Sequence, residues 1–233
     1  IFFLAGMSKT AYFFLLLGSA GLTAIYFFIY VKHKNMYLLI MMTGALCYFI
    51  GNAILLRSSF YPASVMWWVA FLLFTITGER LELSRFIMSK NALKKQLVLI
   101  ALLVLFTVGI VLPFHSAGGY MIGLPLIGTS LWLLKYDMAR HSLKKPGVSF
   151  YSGLLLTTGY FWLMVTGIFM AYGSYFGLLY DASLHVFFLG FVFSIIFAHA
   201  PVILPAVLKI KIDPFGRSLY IWYFMLNFSL LLR

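Results

Sequence analysis

The sequence is poor in acidic residues and has a single cysteine. Only 5 of its 233 residues are Asp or Glu, and charged residues of both signs make up 9% of the chain. Because Cys47 stands alone, a disulfide, a thiolate zinc site, an iron–sulfur cluster and a covalent CxxCH haem are excluded within this chain. Phosphate loops, HExxH motifs, nucleophile elbows and a Ser/His/Asp set are also missing, so an NTP-driven pump core or an intramembrane protease lacks support.

Long apolar runs make up most of the sequence. Hydrophobic residues make up 64% of the chain, and the mean hydropathy is +1.03. A helix that crosses the ~30 Å hydrocarbon core of a bilayer needs ~20 predominantly apolar residues. Eight candidate runs occur, at 11–31, 36–56, 64–87, 96–113, 119–135, 148–172, 182–208 and 218–232. They show no period-two alternation, so we predict an all-α, polytopic transmembrane helix bundle with about eight spans. We treat 1–233 as one integral membrane domain and expect it to continue beyond one or both ends.

Basic residues alternate between the two sides of these runs. The net charge is +12, and 14 of the 17 Lys and Arg residues fall on one side when the loops are counted alternately. This distribution follows the positive-inside rule. It predicts a bacterial inner-membrane protein with cytoplasmic basic loops and its first residue outside. The basic residues set the topology, so we expect the lipid bilayer and no nucleic acid as partner.

Small residues recur at helix-packing intervals. Gly119 and Gly123 are four residues apart, as are Gly190, Ser194 and Ala198 in succession. Spacing of this kind lets two helix backbones approach closely in a membrane. We therefore predict close helix contacts at both places.

Two histidines in the seventh run are the strongest pointers to function, because an ionisable group at membrane depth is costly unless it is paired or bound to metal. His185 and His199 are separated by ~21 Å along an ideal helix and about 40° around it, so they are expected to share one face. Two stacked haems need axial ligands ~20 Å apart on one helix. The apolar residues between them on this face are Phe188, Leu189, Val192 and Ile196.

The remaining histidines supply possible partners for these two. By topology, His115 lies in the outer half with His185, whereas His33 and His141 lie towards the inner boundary with His199. We predict His185 and His199 as haem or metal ligands, with His115 as the best outer partner. The alternative is that the intramembrane histidines are hydrogen-bonded packing residues and that the loop histidines are solvated.

The third run ends in a charged constellation of Glu79, Arg80, Glu82 and Arg85. Arg80 and Arg85 are candidates for binding haem propionates, because guanidinium groups bind carboxylates well. These residues could instead form an entrance for protons or substrate. A third interpretation is a helix end at the level of the lipid headgroups whose Glu and Arg side chains neutralise each other. Asp181 could cap the seventh helix or fix the tautomer of a neighbouring imidazole.

Three short stretches carry a family resemblance: the Phe-Phe-Leu-Ala-Gly start at 2–6, the stretch His-Val-Phe-Phe-Leu-Gly-Phe at 185–191 and the stretch at 226–233. They resemble the NnrS-type family of haem- and copper-associated multi-spanning bacterial membrane proteins. The charged run at 78–85 resembles uncharacterised membrane proteins of similar layout. The resemblance implies haem binding and a link to respiratory or nitric-oxide-related chemistry. Asn227 stands where that family would have His, and there is no His-rich early helix, so we expect no copper site.

Three functions remain open from sequence. The first is a b-type haem protein in electron transfer, or the haem-carrying subunit of a respiratory complex with other membrane or redox subunits; a lone axial His would also leave a haem position open for catalysis. The second is a cofactor-free membrane anchor of a larger redox or photosynthetic assembly. The third is a small-molecule transporter, in which Pro201 and Pro205 would break a helix at the substrate site.

Overall fold

The chain is helical throughout the part that the computed structural model describes. That part comprises residues 8–87, 91–173, 177–209 and 215–232, and no strand occurs within it. A helix covers most of each of the eight apolar runs, so the predicted all-α class is confirmed. The contacts divide the chain into two compact units, Ile1–Arg85 and Phe86–Arg233.

The first unit contains three long helices. They are α1 (Ser8–His33), α2 (Met36–Ser58) and α3 (Pro62–Ser84). Proline is favoured in the first turn of a helix, where α3 has it, because no backbone N–H is needed there. At the other end, α3 includes Glu79, Arg80 and Glu82 and ends at Ser84, directly before Arg85.

Helix α2 packs against both α1 and α3. Its glycines permit the close approach to α3, since a Cβ atom on Gly44 would lie 2.8 Å from the Cβ of Phe74. A buried amide joins all three helices: Asn52 donates to the carbonyl of Leu15 in α1 at 3.3 Å and accepts the indole N–H of Trp68 in α3 at 3.1 Å. In hydrocarbon such a side chain needs internal partners, and here both come from neighbouring helices.

The second unit contains the remaining helices, ordered along the chain as follows. They are α4 (Ala92–Val111), a π turn (Phe114–Gly118), α5 (Gly119–Tyr136), α6 (Ala139–Ser142), α7 (Val148–Gly173), α8 (Gly177–His185), a π segment (Val186–Val192), α9 (Phe193–Leu208) and α10 (Leu219–Leu231). Helix α7 is central and contacts α5, α6, α8, the π segment and α9. The helices of this unit are therefore arranged around one long, largely buried element.

The predicted close contacts at small residues are confirmed. A Cβ atom on Gly123 in α5 would lie 2.7 Å from the backbone nitrogen of Ala171, and one on Gly167 would lie 2.7 Å from the carbonyl oxygen of Gly123. On the other side of α7, a Cβ atom on Gly159 would lie 3.2 Å from that of Ser194. No larger residue fits at the α5–α7 crossing without displacing backbone.

Six helices of the described ranges are long and apolar enough to cross a membrane: α1, α2, α3, α4, α7 and the continuous stretch Leu179–Pro205. These are the helices of a multi-pass membrane protein. The predicted count of about eight is not confirmed, because α5 is not among the six and α10 has only 13 residues. Helix α5 includes Pro125 and a buried Thr-Ser pair, which lower its hydropathy.

The seventh run is not the regular α-helix that the sequence suggested. The π segment Val186–Val192 lies between its two histidines. A π-helix forms i to i+5 hydrogen bonds and holds more residues per turn, so the rotation expected for an ideal α-helix does not apply. The premise for a shared histidine face is therefore wrong. The predicted break at Pro201 and Pro205 is also wrong, because α9 continues through both to Leu208.

Candidate cofactor site

The imidazole of His185 is held by Asp181, one helical turn earlier in α8. The His185 Nδ1 atom lies 2.8 Å from the Asp181 carbonyl oxygen and 3.3 Å from its carboxylate Oδ2. Because a carbonyl can only accept a hydrogen bond, Nδ1 carries the proton in this arrangement. The Nε2 lone pair then remains available as an acceptor or a metal ligand. Helix α8 begins at Gly177, so Asp181 is not the predicted cap but does hold the imidazole, as the other interpretation proposed.

His185 borders an apolar cavity within the second unit. The cavity has a volume of about 430 Å³ and is formed by α7, α8, the first residue of the π segment and α10. Its lining residues are Phe161, Trp162, Val165, Phe169, Leu179, Ala182, His185, Val186, Leu230 and Leu231. His185 is the one ionisable side chain among them. Its side chain is 28% exposed, whereas that of Asp181 is 69% exposed, so the carboxylate lies towards solvent or headgroups and the imidazole towards the cavity.

Trp162 forms a fixed wall of this cavity. Its indole N–H donates to Asn227 Oδ1 in α10 at 2.7 Å, and the Asn227 amide donates to the carbonyl of Tyr223 at 2.8 Å. On the side of the π segment, a Cβ atom on Gly190 would lie 2.7 Å from the Trp162 Cγ atom. The indole is thus held by a hydrogen bond to one helix and by van der Waals contact with another segment.

None of the other predicted ligands whose side chains the structure describes lines this cavity. His199 lies in α9 beyond the π segment, half-buried with a buried Nε2 atom, and does not line the cavity. The side chain of His115 lies outside the described residues. His33 is the last residue of α1 and His141 lies in the short helix α6, and both are exposed.

The two predicted propionate-binding arginines have different environments. Arg80 is 2% exposed and its guanidinium forms an ion pair with Glu79 at 2.9 Å. Arg85 directly follows α3 and is exposed. Both belong to the unit Ile1–Arg85, whereas the cavity belongs to Phe86–Arg233. The ion pair between Arg80 and Glu79 therefore fits a helix end whose own charges neutralise each other, at least as well as it fits a contact between Arg80 and a haem propionate.

Two polar residues that the sequence analysis passed over are structurally prominent. Asn227 was noted only because it differs from the expected His, yet it positions Trp162. Asp137 is 2% exposed and its Oδ2 accepts hydrogen bonds from the Ala139 amide and the Tyr160 hydroxyl, both at 2.9 Å. Both residues could have been selected from the sequence by the same signal: each is a polar residue next to or within an apolar run, and such a residue needs a buried partner.

The donor set suits a macrocyclic cofactor better than a bare metal ion. Across the described ranges, no group of three or more His, Cys, Asp or Glu side chains is placed to hold a metal ion. A bare ion usually takes three or four protein ligands, whereas haem brings four nitrogens of its own and needs one axial residue. An oriented imidazole at the edge of an apolar cavity meets that requirement.

Comparisons with known proteins give a family without an assigned activity. No curated protein and no solved structure matches the chain. A family model covers its whole length, from residue 1 to residue 233. The chain belongs to the family described as Domain of unknown function (DUF8744).

Proposed function

We propose that this chain is a multi-pass membrane haem protein in which His185 is an axial ligand of a b-type haem. Its role is electron transfer, or that of the haem-carrying subunit of a respiratory or redox complex. The observation that carries this proposal is the His185 imidazole, held at Nδ1 by Asp181 and set at the edge of an apolar cavity. The resemblance of 185–191 to the NnrS-type family agrees with it.

The hydrogen bonds at Nδ1 are those expected of a ligating histidine. Such histidines commonly donate their other ring N–H to a carbonyl or carboxylate, which fixes the tautomer and makes the ligating nitrogen more basic. Asp181 offers both kinds of acceptor. Haem bound here would supply one-electron redox chemistry. The chain's own contribution is to fix Nε2 and to keep water from one face of the site.

The cavity lining would accept a flat hydrophobic group. Four aromatic or branched residues of α7 line it, and so do Leu230 and Leu231 of α10. Apolar surroundings disfavour the more highly charged form of a redox centre, so burial is one means of setting its potential. His199 and His115 stay proposed as further ligands. Arg80 and Arg85 likewise stay proposed as contacts for haem propionates.

The orientation follows from the charge distribution. We place the protein in the bacterial inner membrane with its basic loops in the cytoplasm. When α5 is counted as a span, as the alternation of basic residues requires, the start of α8, and hence His185, lies in the outer half of the bilayer. Electron exchange at this site would then take place with a partner on the outer side or within the membrane.

The experiment is a dithionite-reduced minus oxidised absorbance spectrum with pyridine haemochrome quantification, on protein purified in mild detergent from cells given excess haem precursor. We expect a b-type α band. His185→Ala should remove the haem at this site, whereas His141→Ala, a control at an exposed histidine, should leave the haem content unchanged. A featureless wild-type spectrum, or equal haem content in His185→Ala and wild type, would overturn the proposal.

A cofactor-free anchoring subunit is the second candidate, and the packing of α10 favours it. Leu230 is the one residue of this helix that is fully buried, whereas Trp222, Phe224 and Phe228 are each more than 60% exposed. Large aromatic side chains on one short helix suit contact with another membrane subunit. Stable co-purification of a partner, lost on Trp222→Ala and Phe224→Ala together, would support this role.

A further inference from the structure

Two lysines from neighbouring helices meet at one aromatic ring. The Nζ atom of Lys95, in the first turn of α4, lies 5.0 Å from the centroid of the Tyr136 ring, and that of Lys135, near the end of α5, lies 5.3 Å from it. Both distances are within the range of cation–π attraction. The two ammonium groups therefore lie around the same ring at one end of the α4–α5 pair.

Hydrogen bonds fix the backbone beneath this pair. The Trp132 indole, only 4% exposed, donates to the Lys95 carbonyl at 2.9 Å and so ties α5 to α4. Arg140, in α6, donates from Nη1 to the Lys135 carbonyl at 3.2 Å and adds a third cation. Three positive side chains thus converge on a small region whose position is set by direct contacts between α4, α5 and α6.

These cations form no direct ion pair in the part of the chain that the structure describes. The described ion pairs lie elsewhere, at Glu79–Arg80 and Asp181–His185. The acidic residue nearest in sequence, Asp137, is buried and accepts hydrogen bonds from Ala139 and Tyr160. Basic side chains held together with no carboxylate in direct contact create a positive potential that attracts an anion.

We propose that Lys95 and Lys135 at the Tyr136 ring, together with Arg140 at the Lys135 carbonyl, form a binding site for the phosphate group of an anionic phospholipid of the surrounding bilayer. Helix α4 is one of the six candidate spans, so its first turn lies at the level of lipid headgroups. Trp132 and Tyr136 are residues typical of this level. Basic clusters between membrane helices are suited to anionic headgroups, because each Lys or Arg near the surface adds to the attraction.

This site is separate from the cavity at His185, with which it shares no residue, so it neither requires nor tests haem binding. A headgroup there would screen the repulsion between the two ammonium groups. It would also bridge α4 and α5, and we therefore expect bound anionic lipid to stabilise the contact between them.

The test is lipid-dependent thermal unfolding of the purified chain in a neutral detergent. Short-chain phosphatidylglycerol is titrated against the wild type and the double variant Lys95→Gln with Lys135→Gln. The matched control is Lys144→Gln with Lys145→Gln, which removes the same charge from exposed residues in the loop after α6. Short-chain phosphatidylcholine and inorganic phosphate are titrated in parallel.

We expect phosphatidylglycerol to raise the unfolding temperature of the wild type and of the control pair at similar concentrations. The Lys95/Lys135 variant should need about tenfold more lipid for the same rise. Lys95→Arg with Lys135→Arg, which keeps both charges, should retain the wild-type response and shows that any loss is not a folding defect. Equal weakening in both glutamine pairs, or protection by phosphatidylcholine or inorganic phosphate as strong as by phosphatidylglycerol, would overturn the site.

Discussion

The same pair of side chains occurs in both units but has different surroundings. In the first unit, Asn52 accepts the indole N–H of Trp68 at 3.1 Å; in the second, Asn227 accepts that of Trp162 at 2.7 Å. Asn52 is 1% exposed and also bonds a third helix, whereas Asn227 is half-buried and its amide returns to its own helix at Tyr223.

Each tryptophan also faces a glycine. A Cβ atom on Gly51 would lie 3.1 Å from the Trp68 ring, and one on Gly190 would lie 2.7 Å from that of Trp162. The first pair stabilises helix packing, because every polar atom it uses joins neighbouring helices. The second fixes one wall of a cavity and leaves the opposite side open. The same Asn–Trp hydrogen bond can therefore either stabilise helix packing or shape a site, depending on how many helices it joins.

The largest effect is expected from filling the space beside Trp162. Gly190→Val would place its side chain against the indole, and overpacking of this kind costs typically ~1–3 kcal/mol because rotamers and backbone must shift. The indole lines the cavity, so a shift of the indole changes the shape of the cavity, and haem content should fall together with the unfolding temperature. The control is Gly18→Val, where a Cβ atom meets nothing within 4 Å. Unchanged haem content in Gly190→Val would contradict the assigned role of the Trp162 wall.

Removing the amide in the first unit should affect stability alone. Asn52→Leu keeps the branched shape of the side chain but leaves the Trp68 indole N–H and the Leu15 carbonyl without this partner, and a buried unsatisfied group costs ~1–3 kcal/mol. The measurement is the midpoint of thermal or SDS unfolding. Thr43→Val in the same helix is the control, since Thr43 bonds only the carbonyl of Leu39 within α2. A drop in haem per folded chain in Asn52→Leu would show that the two units do not differ as described.

The corresponding change in the second unit should have a smaller effect on stability and a larger one on the cavity. Asn227→Leu removes one bond between α10 and Trp162 at a half-buried position, for which we expect a loss of ~1 kcal/mol or less. Asn227→His offers a ring nitrogen that can accept the same indole N–H and should keep both stability and haem content. If Asn227→His behaves like Asn227→Leu, the hydrogen bond to Trp162 is not what holds the wall.

The helices could be predicted from the sequence, but only part of the candidate site could. Apolar runs gave the all-α class because hydrocarbon permits little else, and glycine spacing predicted the α5–α7 contact at Gly123. His185 and its neighbour Asp181 could also be selected, since their i, i+4 spacing lies within one helical turn. The prediction that His185 and His199 share one face assumed a regular α-helix. That assumption was wrong, because residues 186–192 form a π segment that their sequence does not predict. Asn227 was missed because its partner, Trp162, is 65 residues away in sequence.

The smallest effect is expected at the carboxylate that supports His185. Asp181→Asn keeps the backbone carbonyl, which is the closer acceptor at 2.8 Å, and alters only the contact at 3.3 Å. Changes to groups that support a ligating histidine typically cost 10–100-fold in affinity, but this carboxylate is mostly exposed and therefore screened, so we expect a loss of less than about tenfold. Haem affinity measured by competition with apomyoglobin is the test, and Asp181→Ala should match Asp181→Asn. A loss as complete as in His185→Ala would mean that the carboxylate, and not the carbonyl, sets the tautomer on which the site depends.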